Sequence, residues 1–380
     1  MKIGYEAKRV FKNFTGLGNY SRWVVQSLAT AYPNNLFFLY SPKITKNPRL
    51  NFLQNFKNII VRTPASGWAK LGWRSWGVVN DAQKDGITLF HGLSNEIPFG
   101  LKHKNIKAVV TIHDLIFLRY PQYFKFIDRL IYKCKFTYSC KNADTIIAIS
   151  QQTKQDIIHY LGIDKNKIEV VYQGCDALFY EAKTTETLRQ IKQTYHLPDV
   201  FLLCVGTIEN RKNQLLIIKA LKNLPSHIHL VLLGKATNYK QVLQTYINQN
   251  ELQNRVLFLQ NVTFTDLPGI YQLAKIFVYP SVFEGFGIPI LEALNCGVPV
   301  IAATGSCLEE AGGNHSMYVN PNNENELASK IILILNNDAL RQNMINKGKQ
   351  FALNFRENKI AENLIAVYQN TLKNVKTRNK

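Results

Sequence analysis

The segment Tyr279-Pro-Ser-Val-Phe-Glu284-Gly-Phe-Gly-Ile-Pro-Ile-Leu-Glu292-Ala-Leu-Asn-Cys-Gly297-Val-Pro-Val concentrates residues able to hold a phosphorylated ligand. Gly285 and Gly287 let backbone amides approach a ligand closely, and Pro289 suits the first turn of a helix that carries Leu291 to Asn295. A helix N-terminus facing a ligand binds phosphate through its unpaired N–H groups and its dipole. Glu284 on the loop and Glu292 on the second helical turn can then bracket that ligand, one at sugar hydroxyls and one at ribose hydroxyls. Two acceptors beside a phosphate site fit a nucleotide sugar. Either Glu alone reads equally as a solvated turn or helix residue; the whole string carries the inference.

Three further constellations bear on the same chemistry. Val205-Gly206-Thr-Ile-Glu-Asn-Arg211-Lys212-Asn213 sets two adjacent cations after a strand end and a turn. Arg can grip a diphosphate bidentately and Lys can neutralise it as a point charge, which would stabilise a departing nucleotide diphosphate in place of a metal. No Asp-x-Asp triplet occurs, so no metal and no cofactor is expected. Phe14-Thr-Gly16-Leu-Gly18-Asn19-Tyr20 lies between the first strand and the first helix, although the third glycine of a dinucleotide fingerprint is missing. Thr111-Ile-His113-Asp114-Leu ends another strand; a lone His is often structural, but a strand end is where α/β sheets bind ligands. Asp114 is expected to cap or fix its loop.

The elements that must position these groups follow from the apolar runs. Asn35–Tyr40, Ile59–Val61, Ile87–Phe90, Ala108–Ile112, Thr145–Ile149 and Ile168–Val171 alternate with helical stretches in a βαβ rhythm. After the polar, helix-prone Glu181–His196 the rhythm restarts with Val200–Val205, His229–Leu233, Val256–Leu259, Ile276–Tyr279 and Val298–Ala302. Two similar α/β halves are expected, 1–180 and 181–356, with a cleft between them. A chain of 380 residues is long for one core. No apolar run approaches the roughly 18 residues that span a bilayer. The start, Met1-Lys-Ile-Gly-Tyr-Glu, lacks the apolar core of an export signal, so a cytoplasmic location is expected. Six cysteines show neither a CxxC pair nor metal-ligand spacing and read as buried or free thiols.

These motifs resemble the retaining glycosyltransferases of family four, whose two Rossmann-like domains form the α/β GT-B fold, and the resemblance covers nearly the whole chain. It implies a C-terminal helix near 357–375 packed back on the first domain. Glu-x7-Glu is the family's hallmark. By motif match, the resemblance implies that Glu284 contacts donor-sugar hydroxyls, that Phe286, Gly287 and Ile288 meet sugar and phosphate, and that Glu292 holds the ribose. Many members place Arg directly after the Gly of the first loop, where this chain has Thr207. It looks instead like a mannosyltransferase-like subgroup reading Gly-Thr-Leu-Glu-Pro-Arg-Lys-Asn, so Arg211 and Lys212 inherit the role beside Gly206. Gly16 and Gly18 match the loop bordering the donor phosphates and the acceptor, and His113 matches a His lying against the donor sugar. The family places Ser150, Tyr172–Asp176 and Asn261–Phe264, Val262 among them, at the hinge or around the base; turn and cap chemistry is an equal reading. Transfer with retention by front-face substitution is implied, in cell-surface polysaccharide synthesis, with a nucleotide sugar as donor and a glycan or lipid-linked acceptor.

The formal charge is +20, which implies an anionic partner. No zinc finger or RRM signature points to nucleic acid. Trp68, Lys70, Trp73, Arg74 and Trp76, and the basic aromatic stretch Tyr123–Phe136, suit the headgroup boundary of an anionic membrane. A helix packed on the sheet with a solvated basic face is the competing reading. A catalytically silent scaffold of the same fold and a sugar-nucleotide epimerase are the alternatives to transfer. No G-x-G-x-x-G follows a strand, which disfavours an NAD-linked reductase.

Overall fold

The computed structural model describes residues 1–65 and 72–373. Trp68 and Lys70 of the Trp-rich segment, and the basic tail beyond Lys373, lie outside the described residues. The apolar runs form two all-parallel sheets. Parallel strands buried on both faces read as continuous runs of Val, Ile, Leu and Phe, which is the pattern here.

The first sheet contains β1 (Lys2–Glu6), β2 (Leu36–Tyr40), β3 (Ile59–Arg62), β4 (Leu89–Gly92), β5 (Lys107–Ile112), β6 (Thr145–Ala148) and β7 (Ile168–Val170). Its order is β3-β2-β1-β4-β5-β6-β7. The second contains β8 (Phe201–Val205), β9 (His229–Leu233), β10 (Val256–Leu259), β11 (Ile276–Tyr279), β12 (Val300–Ala303) and β13 (Met317–Val319), in the order β10-β9-β8-β11-β12-β13. Renumbered within its unit, the second order is 3-2-1-4-5-6, the doubly wound dinucleotide-fold arrangement. The strand β13 has no counterpart in the sequence reading: Met317–Val319 is short and set directly between the polar Ser316 and Asn320.

The chain divides into a unit of Met1–Gln173 with the segment from Glu357 onward, and a unit of Gly174–Arg356. The division precedes position 180 because the linking segment packs within the second unit. Phe179 is fully buried with its ring 5.7 Å from that of Tyr271, and the Asn295 amide donates to Cys175 Sγ at 3.4 Å. The helix Glu357–Lys373 returns to the first unit, where Ile360, Leu364 and Tyr368 join Ile3, Val24, Leu28 and Leu89 in one core.

A buried polar chain runs through that core. His91 Nδ1 meets the Tyr368 hydroxyl at 2.7 Å and Nε2 meets Thr111 Oγ1 at 2.8 Å, and Thr111 Oγ1 in turn lies 3.2 Å from the Tyr20 hydroxyl. Burial drives the His91 pKa down to about 3, so the ring is neutral. Five cysteines are buried and Cys134 is exposed. No helix among the described residues is long and apolar enough to cross a membrane.

Candidate active site

In the second sheet β8 and β11 are neighbours, and the chain leaves them toward opposite edges. Loops diverge at such a switch point and leave a crevice beyond the strand ends. The loop after β8 carries Gly206 to Asn213; the loop after β11 carries Pro280 to Gly287. Backbone and side chains stitch them together: Val282 N–H donates to the Arg211 carbonyl at 2.9 Å, and the Asn213 amide donates to the carbonyls of Pro280 and Pro321.

This stitching brings Arg211, Lys212 and Glu284 into direct contact. Lys212 Nζ donates to Glu284 Oε1 and to the Tyr279 hydroxyl, each at 2.6 Å, and Arg211 reaches the same Oε1 at 2.9 Å. Tyr279 and Ser281 hydroxyls also donate to Oε1. Arg211 additionally bonds the Phe283 carbonyl and Glu209. Burial would raise the Glu284 pKa, but the Lys212 and Arg211 charges override it and hold the carboxyl at about 2, so it is ionised at neutral pH. Every one of these bonds falls on Oε1. Oε2 takes none from any described residue, which leaves one fixed acceptor beside two cations. Gly206 lies alongside: a Cβ there would sit 3.4 Å from Lys212 Cε.

The helix Ile288–Asn295 begins at Gly287, whose φ of 121° only glycine adopts readily, and no side chain caps it. Pro289 has no N–H and the Ile290 N–H donates to the Gly287 carbonyl at 2.9 Å, which leaves the Ile288 N–H as the first-turn donor facing a ligand. Phe286 is buried against Phe355, so the segment offers its backbone rather than that ring. Ile288 is half-buried. Glu292, one helical turn on, accepts from the Tyr271 hydroxyl through Oε2 at 2.7 Å, and burial raises its pKa to about 7. Val262 is half-buried in the loop after β10, beside Asn261 at φ 58°.

In the first unit, Gly16 opens the helix Gly16–Ala31. A Cβ on Gly18 would lie 1.7 Å from the Asn13 carbonyl oxygen, so packing requires glycine there. Gly16 meets nothing within 4 Å, so neither packing nor strain explains it. His113 follows β5. Its Nε2 donates to the Leu93 carbonyl at 2.9 Å, its Nδ1 accepts from the Gln173 amide at 3.2 Å, and Tyr20 packs edge-on at 4.7 Å. Burial lowers its pKa to about 4, so a charged imidazolium is not available for charge stabilisation at neutral pH; a neutral ring remains for orientation.

Asp114 accepts from the Ile116 N–H, fixing its loop. Ser150 and Asp176 cap the helical turns that follow them, accepting from the N–H groups of Thr153 and Leu178. Tyr279 and Ser281 stand within the string singled out from the sequence, without a role assigned there; their spacing of five and three residues from Glu284 was the available signal. Tyr271, which holds Glu292 from another helix, left none. Among the described residues no cluster of three His, Cys, Asp or Glu is placed to hold a metal.

Residues 184–351 match the family described as "Glycosyl transferases group 1", and residues 39–177 match "Glycosyltransferase Family 4". The chain is 30% identical over 274 residues to the O-antigen chain mannosyltransferase B of Escherichia coli, 70% of each chain. It is 30% identical over 222 residues to the O-antigen chain mannosyltransferase RfbU of Salmonella typhimurium, 58% of this chain and 59% of that one. Among solved structures it resembles Anabaena HepE in complex with UDP, with a TM-score of 0.76 at 20% identity, covering 97% and 100% of the two chains. That likeness is one of fold. The chain therefore belongs to the group 1, family-four glycosyltransferases, built on the two parallel α/β sheets of the GT-B fold.

Proposed function

We propose that the chain transfers a hexose, with retention, from a nucleotide-diphosphate sugar to a glycan or lipid-linked acceptor in cell-surface polysaccharide synthesis. The observation that carries this reading is Glu284, with Oε1 saturated by Lys212, Arg211, Tyr279 and Ser281, and Oε2 open. A carboxylate fixed in this way accepts from a sugar hydroxyl, while the two cations beside it neutralise a diphosphate. Lys212 spends two of its three N–H donors on Tyr279 and Glu284 and keeps the third for a leaving group. Arg211 and Lys212 match the Arg-Lys subgroup pattern, and the names of the relatives favour mannose as donor sugar.

Departure of the nucleotide diphosphate is stabilised electrostatically by Lys212, Arg211 and the N-terminus of Ile288–Asn295, in a site organised before the donor arrives. Glu292 takes ribose hydroxyls, Val262 borders the base, and neutral His113 orients the sugar. The leaving phosphate oxygen accepts the acceptor's proton, so neither a metal nor a cofactor takes part. A panel of nucleotide sugars followed by NMR of the anomeric proton tests this: an α-linked donor gives an α-linked product, with the rate unchanged by EDTA. An inverted product, or loss of turnover in EDTA, contradicts it.

The first half of the helix Phe126–Asn142 supports work at the inner face of an anionic membrane. Phe136, Ser139 and Cys140 pack into the core, yet Phe126 and Ile127 are 68% and 69% exposed, with Leu130 and Ile131 also exposed among Lys125, Lys133 and Lys135. Apolar side chains insert at the headgroup boundary while lysines meet anionic lipid. Co-sedimentation with phosphatidylglycerol vesicles at physiological salt is expected. No pelleting would refute attachment.

A further inference from the structure

We propose that Gln173 is a positioning residue for sugar transfer: by donating to His113 Nδ1, its side-chain amide fixes the tautomer and the plane of the His113 ring, which then serves as a rigid wall for the donor sugar. Gln173 is the last residue of the first unit, is 4% exposed, and stands 60 residues along the chain from the ring it holds.

The backbone of His113 is anchored independently of its ring. Its N–H donates to Asn95 Oδ1 at 2.9 Å, and the Asn95 N–H donates in turn to the Thr111 carbonyl at 2.8 Å. This leaves the rotation of the ring and the place of its proton to be settled by side-chain contacts. A carbonyl oxygen only accepts, so the 2.9 Å contact with Leu93 puts the hydrogen on Nε2. Nδ1 then carries a lone pair, which the amide nitrogen of Gln173 satisfies at 3.2 Å. Two bonds in different directions, with Tyr20 edge-on at 4.7 Å, define tautomer and plane together.

The groups facing the ring favour its uncharged form. Burial lowers its pKa to about 4, with the Leu93 carbonyl opposing that shift and the Arg9 charge adding to it. His91 is itself neutral, and the Tyr20 hydroxyl is turned to Thr111. A second proton on Nδ1 would meet the Gln173 N–H, so charging the ring also requires the amide to turn over. With both nitrogens held by the protein, His113 exchanges no proton with a substrate; it limits where a sugar lies. That role rests on the transfer reading above, whereas the fixing of the ring by Gln173 does not.

Gln173→Leu and Gln173→Met both remove the donor, in two different shapes, and circular dichroism confirms the fold of each. Two-bond proton–nitrogen NMR of the full chain with 15N-labelled histidine reads the tautomer, and His113→Asn marks its signals among the eight histidines. At pH 7 the wild-type ring is expected to be uncharged, with its hydrogen on Nε2 and Nδ1 hydrogen-bonded. In both variants the Nδ1 signal should move to the position of a free lone pair. Their kcat/KM for a sugar nucleotide should fall about tenfold or more, while UDP and GDP, which lack the sugar, bind as they do to the wild type. An Nδ1 signal unmoved in a folded variant, wild-type kcat/KM in that variant, or an equal loss of nucleoside diphosphate binding would each overturn the proposal. The NMR measurement needs no donor: a wild type that turns over no sugar nucleotide would refute the transfer reading, and the Nδ1 signal would still decide whether Gln173 fixes the ring.

Discussion

Glu292 makes nucleotide binding depend on pH in a way that can be worked out beforehand. Burial lifts its pKa to about 7, and a carboxylate is the better acceptor for two ribose hydroxyls. At pH 6 about one molecule in eleven carries the charge and at pH 8 about ten in eleven, so affinity for a nucleoside diphosphate should rise about tenfold, or about 1.4 kcal/mol, between them. The terminal phosphate titrates near pH 6 as well, which the Glu292→Gln variant separates: Gln can still accept from Tyr271, and any dependence it retains belongs to the ligand. Calorimetric titration of both proteins at the two pH values is the assay. The same group acts on stability. Its folded-state pKa lies above the ordinary carboxyl value of 4.5, so the folded chain holds the proton more tightly. Stability contributed in acid is lost as pH rises from about 4.5 to about 7, on the order of 3 kcal/mol. Glu292→Gln should therefore melt higher than the wild type at pH 8 and alike at pH 4. Equal pH slopes in the two proteins would refute the assignment of Glu292 to the ribose.

Glu284→Gln should abolish turnover and, by leaving Arg211 and Lys212 without their counter-charge, destabilise the fold by about 3 kcal/mol at pH 7 in denaturant titration. Because the Glu284 pKa is depressed to about 2, its stabilisation is present above about 4.5 and is lost toward pH 2, where the two proteins should converge. Gly16→Ala should fold normally, since nothing lies within 4 Å of its Cβ position, yet lose transfer activity; Gly18→Ala should be strongly destabilised by contact with the Asn13 carbonyl, a difference that thermal melts read directly. Tyr368→Phe strands the buried His91 Nδ1 and should cost about 1–3 kcal/mol in denaturant midpoint analysis.

Much of this was legible in sequence because parallel strands covered on both faces must be apolar throughout, which is why Ala108–Ile112 or Ile276–Tyr279 stand out. The contacts among Arg211, Lys212 and Glu284 were legible only as separate motifs. Their meeting depends on β8 and β11 being neighbours, a pairing that no local pattern encodes. Tyr271 lies 21 residues from Glu292, and Arg74 lies 68 from Glu6; neither spacing carries a period. His113 was found by its strand-end position, but its neutrality follows from burial between Tyr20, Leu93 and Gln173, which only the fold supplies. The basic aromatic helix divides between its two readings, its second half packed on the core and its first half exposed, because both are properties of one sequence at different depths in the fold.

Lys212, Arg211 and Glu284 are proposed to form a leaving-group and sugar site for a nucleotide-activated donor. Release of nucleoside diphosphate from GDP-mannose and a panel of other nucleotide sugars, measured for the wild type and for Lys212→Ala with circular dichroism confirming its fold, tests this most directly. Release by the wild type with at least one donor, and a loss of about a hundredfold or more in the variant, are expected. Release by Lys212→Ala at the wild-type rate, or none by the wild type with any donor, would contradict it.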